Sequence, residues 1–237
     1  MSYSKKTTVS AALALFILIC GCASNKPTML QYGDGQKQAT GSLINKVKEG
    51  PWIEWYKNGQ KKEEAVFKNG KYNGPSTSWH ENGQKKNQGL YKDNMKAGPW
   101  IEWYDNGAKE LEAVYKNGEL DGQSTSWYKN GQKESEGVFK DGKENGLIVE
   151  WYENGRKGYE GNYLDGKEDG LVSWWYENGQ IERQKTFKNG KLEGSAVEWY
   201  ENGQKKSESV YQNGNVISES IWNENGEKKV ADSVEIK

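Results

Sequence analysis

Few side chains in this 237-residue sequence are of a type that does covalent chemistry: one histidine, His80, and two cysteines, Cys20 and Cys22. A hydrolytic triad needs a histidine or another poised base beside its nucleophile. His80 instead occupies a position where the sequence elsewhere places a tyrosine, at Tyr56, Tyr104 and Tyr128, and it reads as a substituted surface aromatic. Carboxylates are plentiful, as in Glu63-Glu64 and Glu110 with Glu112, but acid–base work needs two of them in one cleft. Here they recur in repeated, solvated columns. Histidine and cysteine ligands for a metal are lacking, and the Asn-Gly turns do not match the Gly-Gly-x-Gly-x-Asp calcium repeat. The expectation is a binding protein that is not an enzyme and uses no metal or cofactor.

The cysteines suggest a different chemistry. A short basic stretch with Lys5 and Lys6 precedes the apolar run Val9 to Cys20, and polarity returns at Ser24 and Asn25. That run is too short for a comfortable membrane span and reads as an export signal. Ile19-Cys20-Gly21-Cys22 resembles a lipobox, with Cys22 as the lipidated residue and residues 1–21 removed; Cys20 departs from the usual Ala, Ser or Thr. Cleavage near Ala23 by an ordinary signal peptidase is the alternative. Lipidation would consume Cys22 in a thioether, so no disulfide is expected. Acyl chains contribute roughly 0.8 kcal/mol per buried CH₂, enough to anchor the chain without a spanning helix. Ala23 does not resemble an aspartate retention signal, so in a Gram-negative envelope the outer membrane is the expected address. Loss of Lys5 and Lys6 takes the 33 basic residues to 31 against 34 acids, a formal charge of −3, which gives nucleic acid nothing to bind.

Aromatics dominate what remains. Trp55, Trp79, Trp103, Trp127, Trp151, Trp175 and Trp199 fall 24 residues apart. Each is followed by Asn-Gly, as at Asn58-Gly59 and Asn202-Gly203, and each is preceded five places earlier by a glycine, from Gly50 to Gly194. A fixed period of this size marks a repeat array. Seven units run over 50–217, with a lipidated N-terminus and degenerate cap over 22–49 and a second degenerate cap over 218–237 that restarts the pattern at Trp222. Imperfect terminal copies are expected where a unit has one neighbour only. A longer period also shows: Gly50–Tyr56 recurs as Gly98–Tyr104, and Ser76–Trp79 as Ser124–Trp127. Duplication of a two-unit block explains it; a functional alternation is the other reading.

The elements that carry these residues read as hairpins. Trp52–Tyr56 is a β-rich run, Lys57-Asn58-Gly59 a turn, and Gln60–Phe67 a second extended run; Lys68-Asn69-Gly70-Lys71 then turns the chain into the next unit. One hairpin buries too little to stand alone, so neighbours must share strand bonds and aromatic contacts. The predicted fold is all-β: an elongated single-layer antiparallel β-meander of tandem 24-residue β-hairpin repeats. Simple alternation after a three-residue loop puts Ile53 and Trp55 on one face with Ala65 and Phe67, and Trp52, Glu54, Tyr56, Lys62, Glu64 and Val66 on the other. The first face, with the ladder tryptophans and Trp222, is expected to stack the repeats. The second is expected to be free, with Trp52, Trp100, Trp174, Tyr56, Tyr104 and Tyr176 as its candidate binding residues. Trp174 stands out because it replaces the glutamate of Glu54, Glu102 and Glu150.

The unit Gly-x-x-x-Glu-Trp-Tyr-x-Asn-Gly-Gln-Lys, followed by Glu, a small residue, an aromatic and Asn-Gly-Lys, resembles the MORN repeat variant over nearly all of 22–237. Bacterial members of that family are often exported, and some are described as antitoxins, a role at odds with an export signal. The resemblance implies no shared catalytic residues. Two binding readings follow. One is a protein-interaction or structural scaffold at the envelope, with a protein partner and the membrane as its contacts. The other is stacking of surface aromatics on cell-wall glycan or choline-type groups. The adjacent Trp-Tyr pairs are similar to choline-binding repeats, although the shorter period and second Gly-Trp signature of those repeats are missing.

Overall fold

The computed structural model describes residues 27–229; the export signal, Cys22 and the last residues of the C-terminal cap lie outside that range. Among the described residues every element is a strand, and the 18 strand segments form one antiparallel sheet. Each interior strand pairs with its neighbours along the chain, and Lys133–Lys140 pairs with both Lys143–Glu144 and Gly146–Trp151. Among the described residues Thr28–Gln31 pairs only with Lys37–Ile44, and Asn215–Ile221 only with Lys205–Gln212, so the sheet is an open meander. Lys143–Glu144 and Gly146–Trp151 are one strand interrupted at Asn145.

Two kinds of turn alternate, and their residues follow from their geometry. At the first, Gly59 N–H donates to Tyr56 C=O at 3.0 Å and Tyr56 N–H to Gln60 C=O at 2.8 Å, with Gly59 at φ +84°. This is the expected three-residue loop with a left-handed glycine. Asn58 is there for its side chain: Oδ1 accepts from Gln60 N–H at 3.0 Å, while Nδ2 donates to Glu81 C=O of the next unit at 2.8 Å. The second turn has two residues, both left-handed, as at Asn69 (φ 51°) and Gly70 (φ 76°). That is the type I′ geometry, which matches the twist of a hairpin and favours Asn-Gly.

Both edges of the meander are tied between units. At one edge a tyrosine hydroxyl reaches the tryptophan carbonyl 23 residues on, as in Tyr56 to Trp79 at 2.8 Å, and the turn asparagines repeat the same step. At the other edge the glycine N–H of the two-residue turn bonds back 22 residues, as in Gly70 to Lys48 C=O at 2.9 Å. A backbone sheet with stapled loops at both ends makes each hairpin depend on its neighbours.

The side-chain faces differ from the expectation. The pairs run Gly50–Phe67, Trp52–Ala65 and Glu54–Glu63, then shift so that Trp55 opposes Lys61. One extra residue, Lys62, is bulged into the second strand beside the loop. A one-residue bulge flips the rest of that strand to the opposite face. Trp52 therefore shares its face with Ala65 and Phe67, and Trp55 lies on the other. The packed face holds Ala39, Trp52, Ala65, Phe67, Trp100, Ala113, Ile148, Val172 and Ala196, all buried. The ladder tryptophans are half-exposed.

The 48-residue alternation has a packing explanation on this face. Where a unit carries Trp52 or Trp100, the strand before it carries Gly41 or Gly89, and a Cβ on either glycine would stand 2.0 or 1.9 Å from the indole. Where a unit carries Ser76 or Ser124, the preceding residue is Ala65 or Ala113. Large over nothing alternates with small beside small, as a close-packed layer requires.

Candidate functional site

Residues directly opposite one another on the packed face form a row across the sheet: Glu54–Glu63–Ser78–Asn87–Glu102–Leu111–Ser126–Ser135–Glu150–Tyr159–Trp174–Arg183–Glu198. The glutamates of this row meet different surroundings. Glu54 pairs with Lys48, Glu102 with Lys96 and Glu198 with Lys185, each at 2.8 Å. Burial acts to raise the Glu54 carboxyl, but the hydrogen bond and charge of Lys48, with Lys62 and Trp52, outweigh it and hold the group below the usual carboxylate range. Glu198 is lowered first by the Lys185 hydrogen bond.

Glu150 has no such ammonium among the described residues. The position of Lys48 and Lys96 is taken in its strand by Glu144, and the position of Lys62 and Lys206 by Gly158. Although part of the Glu150 side chain is exposed, burial of its carboxyl and then the charges of Glu144 and Glu134 push that carboxyl up. Glu168 is raised as well, by burial and then Glu144. Beside Glu150 an open cavity of about 570 Å³ is walled by Tyr152, Gly158, Tyr159, Trp174, Glu182 and Arg183. The Trp174 ring stands edge-on to Tyr159 at 5.5 Å and carries the Arg183 guanidinium 4.5 Å from its centroid. Burial and the hydrogen bond to Tyr163 raise the Tyr159 hydroxyl far above its ordinary value.

The candidate binding residues thus separate. Trp52 and Trp100 are 2% and 1% exposed, which removes them from any free face: the bulge at Lys62, and its equivalents in the other units, turn them into the core. Tyr56, Tyr104 and Tyr176 donate their hydroxyls to the carbonyls of Trp79, Trp127 and Trp199, each at 2.8 Å, and act as staples between units. His80 holds the same place, with Nε2 2.8 Å from Trp103 C=O, which explains why histidine substitutes for tyrosine there. Of the six, Trp174 alone lines the open cavity.

On the ladder face, lysines from the preceding unit lie over the tryptophan rings: Lys61 over Trp79 at 5.4 Å, Lys109 over Trp127 at 5.0 Å, Lys157 over Trp175 at 5.3 Å. Several are held by a glutamate three residues on, as Lys61 by Glu64 at 2.8 Å. Trp55, Trp103 and Trp151 are covered likewise by Lys37, Lys85 and Lys133. Trp199 has Ile181 where the lysine would be, and Trp222 is flanked by Lys205 and Lys228. These tryptophans link neighbouring units through exposed cation–π contacts, each of the order of 0.5–1 kcal/mol.

No group of three or more His, Cys, Asp or Glu side chains is placed to hold a metal ion among the described residues. The arrangement offers hydrogen-bonded, charged and aromatic surface for binding.

A comparison with family models matches the MORN repeat variant over residues 48–69, 72–93, 96–117, 120–141, 168–189 and 192–213. The chain belongs to the MORN repeat variant family. The MORN repeats cover more than half of the sequence, and their period is that of the tryptophan ladder. Residues 142–167, between the fourth and fifth matched segments, contain Glu144, Glu150 and Gly158. No curated protein matches the chain. Membership in a MORN repeat family carries a repeat-based interaction or scaffold role.

The sequence expectations did not include Gly158 and Arg183, which line the cavity, or Glu144, whose charge acts on Glu150. For Glu144 and Gly158 the signal was a departure from the lysine columns 48/96 and 62/206. It becomes readable once the bulge shows that these columns surround the glutamate row.

Proposed function

We propose that this chain is a non-catalytic scaffold of the bacterial envelope, lipidated at Cys22 and holding a protein partner on its repeat array. The observation that carries the scaffold reading is the stapling of every hairpin to the next at 22- and 23-residue steps. It fixes the positions of side chains many strands apart, as an extended recognition surface needs. The anchor rests on the sequence Ile19-Cys20-Gly21-Cys22 and on the basic-then-apolar segment before it. An outer-membrane address follows from Ala23 in a Gram-negative host.

The full chain, immobilised through a C-terminal tag, should capture a defined protein from envelope extract, and peptidoglycan and choline resins should fail to retain it. Retention on those resins with no protein captured would sink the scaffold reading. It would favour glycan or choline-type binding instead, for which the cavity lined by Trp174, Tyr152 and Tyr159 is the supporting feature. Lipidation is tested separately by palmitate labelling, where Cys22→Ala should abolish incorporation; equal labelling of both proteins removes the anchor.

A further inference from the structure

The repeat supplies its own template for a cation site. In the first unit Lys62 Nζ lies 3.8 Å from Glu54, and in the seventh Lys206 Nζ lies 3.8 Å from Glu198 and 6.0 Å from the centroid of the Tyr200 ring. The fifth unit keeps the glutamate and the tyrosine, as Glu150 and Tyr152, but has Gly158 in place of the lysine. All three residues line the 570 Å³ cavity. The second lysine that serves this row is missing as well, because Glu144 stands where Lys48 and Lys96 do. Glu134 and Glu182 add negative charge at the rim, and the one cation among the described residues of its lining, Arg183, is laid on Trp174 with no carboxylate of the described residues within ion-pair distance. Elsewhere in the same sheet, then, a carboxylate and an aromatic wall hold an ammonium from the chain itself. Here they open onto a space.

We propose that this cavity binds the side-chain ammonium of a lysine on a partner protein, seated between Glu150 and Tyr152 where Lys206 sits in the seventh unit. A primary ammonium fits better than a quaternary one. Lys62 and Lys206 approach their glutamates to 3.8 Å, and Lys48 from the other column donates to Glu54 at 2.8 Å. With Glu144 in place of a lysine in that second column, an incoming ammonium has the Glu150 carboxylate to donate to, whereas a quaternary ammonium has no N–H to give. The aromatic wall alone would accept either. This inference rests on the scaffold reading and names the chemistry of the partner at one place on the array.

The test is frontal chromatography of the full chain in non-ionic detergent over a resin carrying the blocked peptide acetyl-Gly-Lys-Gly-amide. Matched resins carry norleucine, ε-acetyl-lysine or choline. Retention on lysine should exceed that on the other three at least tenfold. Glu150→Gln should remove that excess. Gly158→Lys should remove it too, because the new side chain fills the site as Lys206 does. Gly158 has an ordinary φ, and the nearest atoms to a Cβ there belong to the Tyr152 ring, at 3.1 to 3.4 Å, so that ring has to give by a few tenths of an ångström. A melting curve at or above that of the native chain will show that this variant is folded. Glu64→Gln, on the ladder face, should leave retention unchanged, which separates a site from simple ion exchange. Equal retention on choline, or unaltered retention of Gly158→Lys, overturns the inference. Capture of an envelope protein that is insensitive to Gly158→Lys overturns it while leaving the scaffold reading intact; a native chain that neither favours the lysine resin nor captures any envelope protein removes both.

Discussion

Gly89→Ala puts a single methyl group against the most tightly buried ring in the sheet. Gly89 has an ordinary backbone conformation, so alanine introduces no φ strain and by itself would favour the strand by roughly 0.5–1 kcal/mol. Against that gain, its Cβ would lie 1.9 Å from Trp100 Cε3 and 2.7 Å from Cδ2 and Cζ3. Trp100 is 1% exposed, and its Nε1 is held by Glu102 at 2.8 Å, so the ring cannot swing aside without breaking that bond. Overpacking of this kind costs about 1–3 kcal/mol, and a contact this short belongs at the upper end, for a net loss of about 2 kcal/mol. Adding Trp100→Ser recreates the Ala65–Ser76 combination of the unit before, so the double variant should be less destabilised than the sum of the singles by at least about 1 kcal/mol. The assay is urea unfolding of the full chain together with amide exchange. In a linear array the loss should concentrate in Lys85–Lys92 and Met95–Trp103. A Gly89→Ala protein as stable as the native one, or a loss spread evenly over the sheet, would refute the packing explanation of the alternation.

Three further outcomes follow from the same geometry. Lys46 sits at φ 68° in the Asn45-Lys46 turn, where the interior units mostly have glycine; Lys46→Gly should raise the stability of the first hairpins by about 1 kcal/mol in a denaturant melt. Tyr104→Phe removes the hydroxyl bond to Trp127 C=O and should cost about 0.5–1.5 kcal/mol, read as faster amide exchange at the Asn106 and Asn130 turns. Glu54 and Glu198 have folded carboxyl groups held below their unfolded values. The stability they contribute is complete above the unfolded value of about pH 4.3 and is lost as pH falls through the lower folded one. Melting curves between pH 3 and 7 should therefore show a steeper acid loss in the native chain than in Lys48→Met combined with Lys185→Met.

The period, the strands and both turns were legible in the sequence because they are local: Asn58-Gly59 and Asn69-Gly70 report the backbone conformations at their own positions. The faces were not. One residue, Lys62, reverses the parity of the second strand, and nothing in the composition of Gln60–Phe67 says where a bulge falls. The reversal moved Trp52 and Trp100 from the surface to the core and brought the ladder tryptophans out under their lysines. A clue to the true register existed in the pairs Gly41–Trp52 and Gly89–Trp100, eleven residues apart, whose sizes complement one another only if they meet. Trp174 was visible as a departure from its column. The cavity beside it was not, since Glu144, Glu150 and Gly158 are unremarkable until the sheet places their columns around one carboxylate.

The interaction role is tested most directly inside the cell. A photo-crosslinking amino acid substituted at Glu182, on the rim of the cavity, should yield one discrete covalent adduct with another protein of the envelope on illumination of intact cells. The same probe at Glu64 on the ladder face should yield none. Absence of any protein adduct at Glu182, with the chain instead held on the cell-wall polymer, would contradict the account.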